Sequence, residues 1–214
     1  MKIKKKDFES YIQIGIIVIL TAVLFYNLGG GSTGGAIGVG VVSASDIIPS
    51  GVPAIYGEEL GITYDDVSPD NAQKANAAIR LLGNIDRTET LEGADLERYI
   101  NILYTLHDGI SCEYCCGARS IIFEDGKPAC GCAHSYAMRG LTKYLIINHG
   151  DEFTDEEILI ENGKWKVLFF PGIHEGKAAV LKEQGVELNY INLASNKYRG
   201  VEKGQASGGM VGGC

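Results

Sequence analysis

Five of the six cysteines fall inside 21 residues, as Cys112-Glu113-Tyr114-Cys115-Cys116 and then Cys130-Gly131-Cys132-Ala133-His134. A step such as Cys112 to Cys115 forms a tight loop whose two thiolates can grip one metal ion, and a second pair brought beside it completes a tetrahedral set. Cys130, Cys132 and His134 alternate with small residues, so in extended backbone all three point to one face. The candidate metal ligands are therefore Cys112, Cys115, Cys116, Cys130, Cys132 and His134, with Cys214, the last residue, as a further soft ligand on a glycine-rich tail. Zinc is the favoured cofactor, and a set this rich in thiolate also suits copper(I) or an iron–sulfur cluster. With six ligands in one place no coordination position is obviously open, so hydrolytic metal catalysis is the poorest fit and no residue is assigned a catalytic role.

The same thiols could instead form disulfides or exchange them. Bridging Cys115 to Cys116 or Cys130 to Cys132 would strain the ring, whereas a bridge such as Cys116 to Cys132 would not. Between the two cysteine groups, Asp125-Gly126 flanked by Ile121, Ile122, Phe123 and Lys127 predicts a β-hairpin with a two-residue turn. Pairing Glu124 with Lys127 sets Cys130 opposite Ile121 and Cys132 opposite Arg119, so the hairpin would fold both groups to its open end. Gly117 and Gly131 would let backbone approach that end closely. His107, His149 and His174 read as capping or surface histidines.

The elements that must position this cluster are mostly helical. Ser68 or Asp70 can cap a helix reaching Leu82, with Ala75, Ala78, Ile79 and Leu82 on one face. Leu96, Tyr99, Ile100, Leu103 and Leu106 repeat at helical spacing between Asp95 and Gly109. A third helix is expected over about 134–148. A fourth starts at the Thr154/Glu157 capping box and meets an ambiguous Asn162-Gly163, and a short fifth runs over about 175–184. The fold class expected is mainly α (α+β), in which a small helical domain carries one cysteine-flanked β-hairpin.

The composition places limits on partners. The net charge of −8 becomes −10 once the first nine residues, with Lys2, Lys4, Lys5 and Lys6 against Asp7 and Glu9, are set aside. So acidic a body would not attract nucleic acid. Tyr11 to Leu28 carries no charge and spans roughly 27 Å as a helix, close to the thickness of a bilayer core. With four lysines before it and no basic residue after it until Lys74, the positive-inside rule predicts a single-pass cell-membrane protein, its N-terminus cytoplasmic and its C-terminal domain outside. The expected organisation is a basic tail over 1–9, a transmembrane helix over 10–28 with the lipid bilayer as partner, and a Gly-rich linker over 29–53. A helical metal-binding domain over 54–200 and a flexible tail over 201–214 complete it.

At CEYCCG, CGCAHSYAMRGLTKYLI and GKWKVLFFPG, joined to a lysine-led N-terminal segment, the chain resembles uncharacterised membrane-anchored cysteine-rich proteins encoded by archaea. That resemblance covers most of residues 54–200 and implies no activity. At Cys130-Gly131-Cys132 alone it is similar to extracytoplasmic proteins with a PCYCGC motif, suspected copper binders; the leading Pro-Cys-Tyr is absent here. The function expected is binding of a transition metal outside the cytoplasm for structure, delivery or sequestration. The alternatives are a thiol-disulfide or iron–sulfur redox protein and a disulfide-stapled surface scaffold.

Overall fold

The structure is a computed structural model that describes residues 46–113, 117–204 and 209–213. All of these belong to one compact unit, Gly40–Cys214. Seven α-helices are described: α1 Gly57–Leu60, α2 Ala72–Thr88, α3 Gly93–Ile100, α4 Ala133–His149, α5 Asp155–Phe169, α6 Pro171–Glu183 and α7 Tyr190–Ala194.

The centre is the packing of α2 against α4. The apolar face of α2 is Ala75, Ala78, Ile79 and Leu82, as its periodicity predicts, and the helix runs on beyond Leu82 to Thr88. On α4, Ala137, Met138, Leu141 and Leu145 are fully buried. Gly140 lets the two helices touch, because a Cβ built there would lie 1.8 Å from the carbonyl oxygen of Leu82. α5 begins at the expected capping box, with the Thr154 side chain accepting from the Glu157 backbone and Glu157 accepting from the Thr154 N–H. It continues straight through Asn162-Gly163. The Asn162 amide donates to Thr142 Oγ1 and to the Ile158 carbonyl, and Gly163 leaves room for the Tyr190 carbonyl, so both residues serve a buried helix–helix contact and not a turn. Pro171 opens α6 as its first residue, where the missing N–H is harmless. The pattern from Leu96 to Leu106 is not one α-helix: α3 gives way to a π turn at Asn101–Thr105 and a 3-10 turn at Leu106–Asp108.

Two expectations are corrected. The β-hairpin is not there, and the described residues contain no β-strand, only isolated bridges at Ile110 with Ser195 and Ile122 with Pro128. The turn closes one residue differently, with the Phe123 N–H donating to the Lys127 carbonyl and the Ala129 N–H to the Ile121 carbonyl. Its loop is Glu124-Asp125-Gly126, with Gly126 at φ +81°. Two donors that would have lengthened the ladder go elsewhere, Ile121 N–H to the Ile110 carbonyl and Lys127 N–H to Asp125 Oδ1. A one-residue slip also reverses the face of every side chain, so the predicted cross-strand partners of Cys130 and Cys132 do not hold.

The second correction concerns the membrane. The transmembrane helix expected over 10–28 lies outside the described residues, and among the described residues no helix is long and apolar enough to cross a bilayer. The two longest, α2 and α4, have 17 residues each and carry charges such as Arg80, Asp86, Arg139 and Lys143. The single-pass placement and the lipid partner therefore find no support in the architecture.

Gly140→Ala should destabilise the fold by about 1–3 kcal/mol, since the obstacle to the new methyl is backbone. Gly131→Ala, with nothing within 4 Å of the new carbon, should stay within about 0.5 kcal/mol of wild type in the same denaturant titration.

Candidate metal and thiol centre

Three segments bring the cysteines together. Cys112 follows an extended stretch in which Ile110 N–H bonds the Leu103 carbonyl and the Ile110 carbonyl accepts from Ile121 N–H. The Ser120 hydroxyl sits in the same corner, 2.6 Å from the Leu103 carbonyl and 3.1 Å from that of Ile110. Cys130 ends the 121–129 turn and is held through its carbonyl by Arg139 Nη1 at 2.8 Å. That guanidinium is wholly buried, and its Nε bonds Asp86 Oδ2 at 2.8 Å, so the α2–α4 interface also fixes Cys130. Cys132 is the N-cap of α4 and accepts from the Ser135 backbone N–H.

The Sγ atoms of Cys112, Cys130 and Cys132 all lie within 4.8 Å of one another and form a group that could hold a metal ion. Cys112 and Cys132 are thiols with their sulfurs 2.9 Å apart, and Cys130 is disulfide-bonded, to neither of them. Cys112 and Cys130 are buried, at 3% and 4% exposure, whereas Cys132 is half-buried. Cys115, Cys116 and Cys214 lie outside the described residues.

His134, predicted to point with Cys130 and Cys132, is not part of the three-sulfur group. It lies in the first turn of α4, with Nε2 2.9 Å from the Val211 carbonyl and its ring against Phe169 and Phe170. A carbonyl only accepts, so Nε2 is the donor of this contact. Nδ1 is sealed from solvent and lacks a hydrogen-bond partner of normal geometry. Val211, in the tail expected to be flexible, is buried at 3% exposure and its N–H bonds the Phe169 carbonyl.

The hydrogen bond with Cys112 pulls the Cys132 thiol down to about 3; burial opposes this, while His134 and the Ser135 hydroxyl and N–H add to it. Cys132 is therefore a thiolate at neutral pH, at a helix N-terminus that favours negative charge.

Sequence reasoning missed the charged residues beneath this group. Glu113, at φ +31°, turns its carboxylate inward, and its Oε1 meets Lys166 Nζ at 2.6 Å, His174 Nε2 at 3.4 Å and Lys177 Nζ at 3.5 Å, all four side chains wholly buried. Burial works to raise the Glu113 pKa, but Lys166, His174 and Lys177 outweigh it and hold the carboxyl well below the usual range. Burial brings Lys166 down to about 8, with Glu113 and Cys112 pulling the other way, and it also lowers His174. One carboxylate thus faces two lysines, an excess of positive charge beside the three-sulfur group. Arg199 completes the frame by donating to the Glu113 and Ala118 carbonyls. His174, read as a capping or surface residue, is in the core, and the signal available was Lys166 itself, a charge set inside the apolar run Trp165 to Phe170.

Compared with known proteins, the chain matches no family model, no curated protein and no solved structure.

Two measurements check the electrostatics. Alkylation of Cys132 in metal-free protein should be nearly independent of pH between 5 and 8, where an ordinary thiol gains about tenfold per pH unit; a rate that climbs at that slope would contradict a thiolate. Glu113→Gln should lower stability by about 3–5 kcal/mol by leaving two buried ammonium groups unopposed, and adding Lys166→Met should recover part of the loss.

Proposed function

We propose that the chain binds one thiophilic transition metal ion, zinc before copper(I) or an iron–sulfur cluster, at Cys112, Cys130 and Cys132, and that the ion is structural. The observation carrying this reading is the convergence of three sulfurs from three separate segments within 4.8 Å. Thiolate sulfur is the donor that zinc structural sites use most, and burial of Cys112 and Cys130 is what such a closed site requires.

The fourth position falls to His134 Nδ1 or to Cys115 or Cys116. His134 has the right tautomer for this role, since its other nitrogen donates to a backbone carbonyl as metal-bound histidines generally do. The excess positive charge around Glu113 offsets the negative charge of a zinc ion with three or four thiolates. A bound ion would tie the segment before Cys112 to the end of the 121–129 turn and to the first turn of α4.

Because Cys130 is disulfide-bonded, loading requires two-electron reduction of that bond. Protein purified without a reductant should contain little metal, and after reduction and exposure to zinc it should hold about one ion per chain and remain colourless. Chelation should then lower the thermal midpoint. Equal metal content with and without reduction would contradict the ligand set, and a visible chromophore after reconstitution with iron and sulfide that survives gel filtration would favour a cluster over zinc.

A further inference from the structure

The pair Cys112 and Cys132 is built asymmetrically. Their sulfurs are 2.9 Å apart without being bonded, Cys132 is half-buried at the start of α4, and Cys112 is buried. Cys132 Sγ accepts from the Ser135 N–H at 3.4 Å and lies 3.2 Å from the Ser135 hydroxyl, which fixes the sulfur at the helix end. Beside it Gly131 is exposed, and a methyl added there would meet open space. Cys132 is thus the partly exposed member of the pair, and the sulfur of buried Cys112 lies within a small movement of bonding distance of it.

We propose that the metal-free dithiol reduces an external disulfide, of a peptide or low-molecular-weight thiol compound, in a single stoichiometric exchange in which Cys132 attacks and Cys112 resolves the product. The Cys132 thiolate displaces one substrate sulfur, forming a Cys132–substrate mixed disulfide and releasing the first thiolate. That leaving thiolate takes the proton of Cys112. The Cys112 thiolate then attacks Cys132 Sγ, forming a Cys112–Cys132 disulfide and releasing the second substrate thiolate, which is protonated from solvent. The substrate disulfide gains two electrons and the protein dithiol loses two. Placement of the sulfurs dictates the order: among the described residues Cys112 is the thiol nearest a substrate held on Cys132, and its burial keeps a substrate from reaching it first. Ser135 acts as a positioning residue that holds the attacking sulfur.

The Cys130 disulfide is spectator to this exchange, although its Sγ belongs to the same group. The activity goes beyond metal binding and does not rest on it, since it uses metal-free protein with the Cys130 disulfide intact, whereas metal loading needs that disulfide opened.

The test incubates full-length protein, treated with chelator but not with reductant, with oxidised glutathione, and maps every cysteine by mass spectrometry of peptides. Wild type should form the Cys112–Cys132 disulfide in step with release of reduced glutathione. Cys112→Ser should trap glutathione on Cys132, and Cys132→Ser should leave Cys112 unmodified over the same interval. Glutathione appearing on Cys112 as readily as on Cys132, or wild type that keeps both thiols under a large excess of oxidised glutathione, would overturn the proposal. Should either variant fail to fold, limiting iodoacetamide on wild type decides the roles: Cys132 should be labelled at least tenfold faster than Cys112, and equal rates would overturn the assignment. Metal uptake after reduction is scored in a separate sample, so either reading can fail alone.

Discussion

Glu113 cannot be buried alone. A carboxylate removed from water is stable only where cations meet it, and here Lys166 from α5 and Lys177 from α6 converge on the same oxygen. That requirement pins the segment carrying Cys112 over both helices. It holds the backbone at a φ that residues with side chains seldom adopt. Lys166 also donates to the Ala194 carbonyl, so α7 is drawn into the same knot. The cysteine centre sits on a polar core, and Cys112 interacts electrostatically with Lys166 in it.

Arg139 performs the matching task on the other side. One buried guanidinium spans Asp86 on α2, the Ile121 carbonyl and the Cys130 carbonyl, so the most tightly packed helix pair sets where the second cysteine group begins. Lys143 adds a further cation to Asp86. The architecture therefore gives the three-sulfur group, which could hold a metal ion, two rigid supports.

Helical periodicity made most of the scaffold legible. Ala75 to Leu82, the Thr154 capping box and the third helix appear where their spacing puts them, because apolar faces repeating every 3.6 residues have few other ways to be buried. Asn162-Gly163 could not be resolved from local chemistry, since their roles are met by Thr142 and Tyr190, far away in sequence. The hairpin failed for a related reason: Asp125-Gly126 does mark a turn, but Ile121 N–H is claimed by Ile110, a partner invisible to any local rule. Of the centre, the grouping of Cys112, Cys130 and Cys132 could be read from their spacing. The contacts His134 makes with Val211 and two phenylalanines come from far along the chain, and the buried charges ran against the default that lysine and glutamate face water.

On the proposed function, Cys112, Cys130 and Cys132 together ligate one ion. X-ray absorption at the zinc edge of reduced, zinc-loaded protein reads the donor atoms directly. The account predicts a shell of at least three sulfur scatterers at about 2.3 Å. A shell made only of nitrogen and oxygen at about 2.0–2.2 Å would place the metal elsewhere and contradict it.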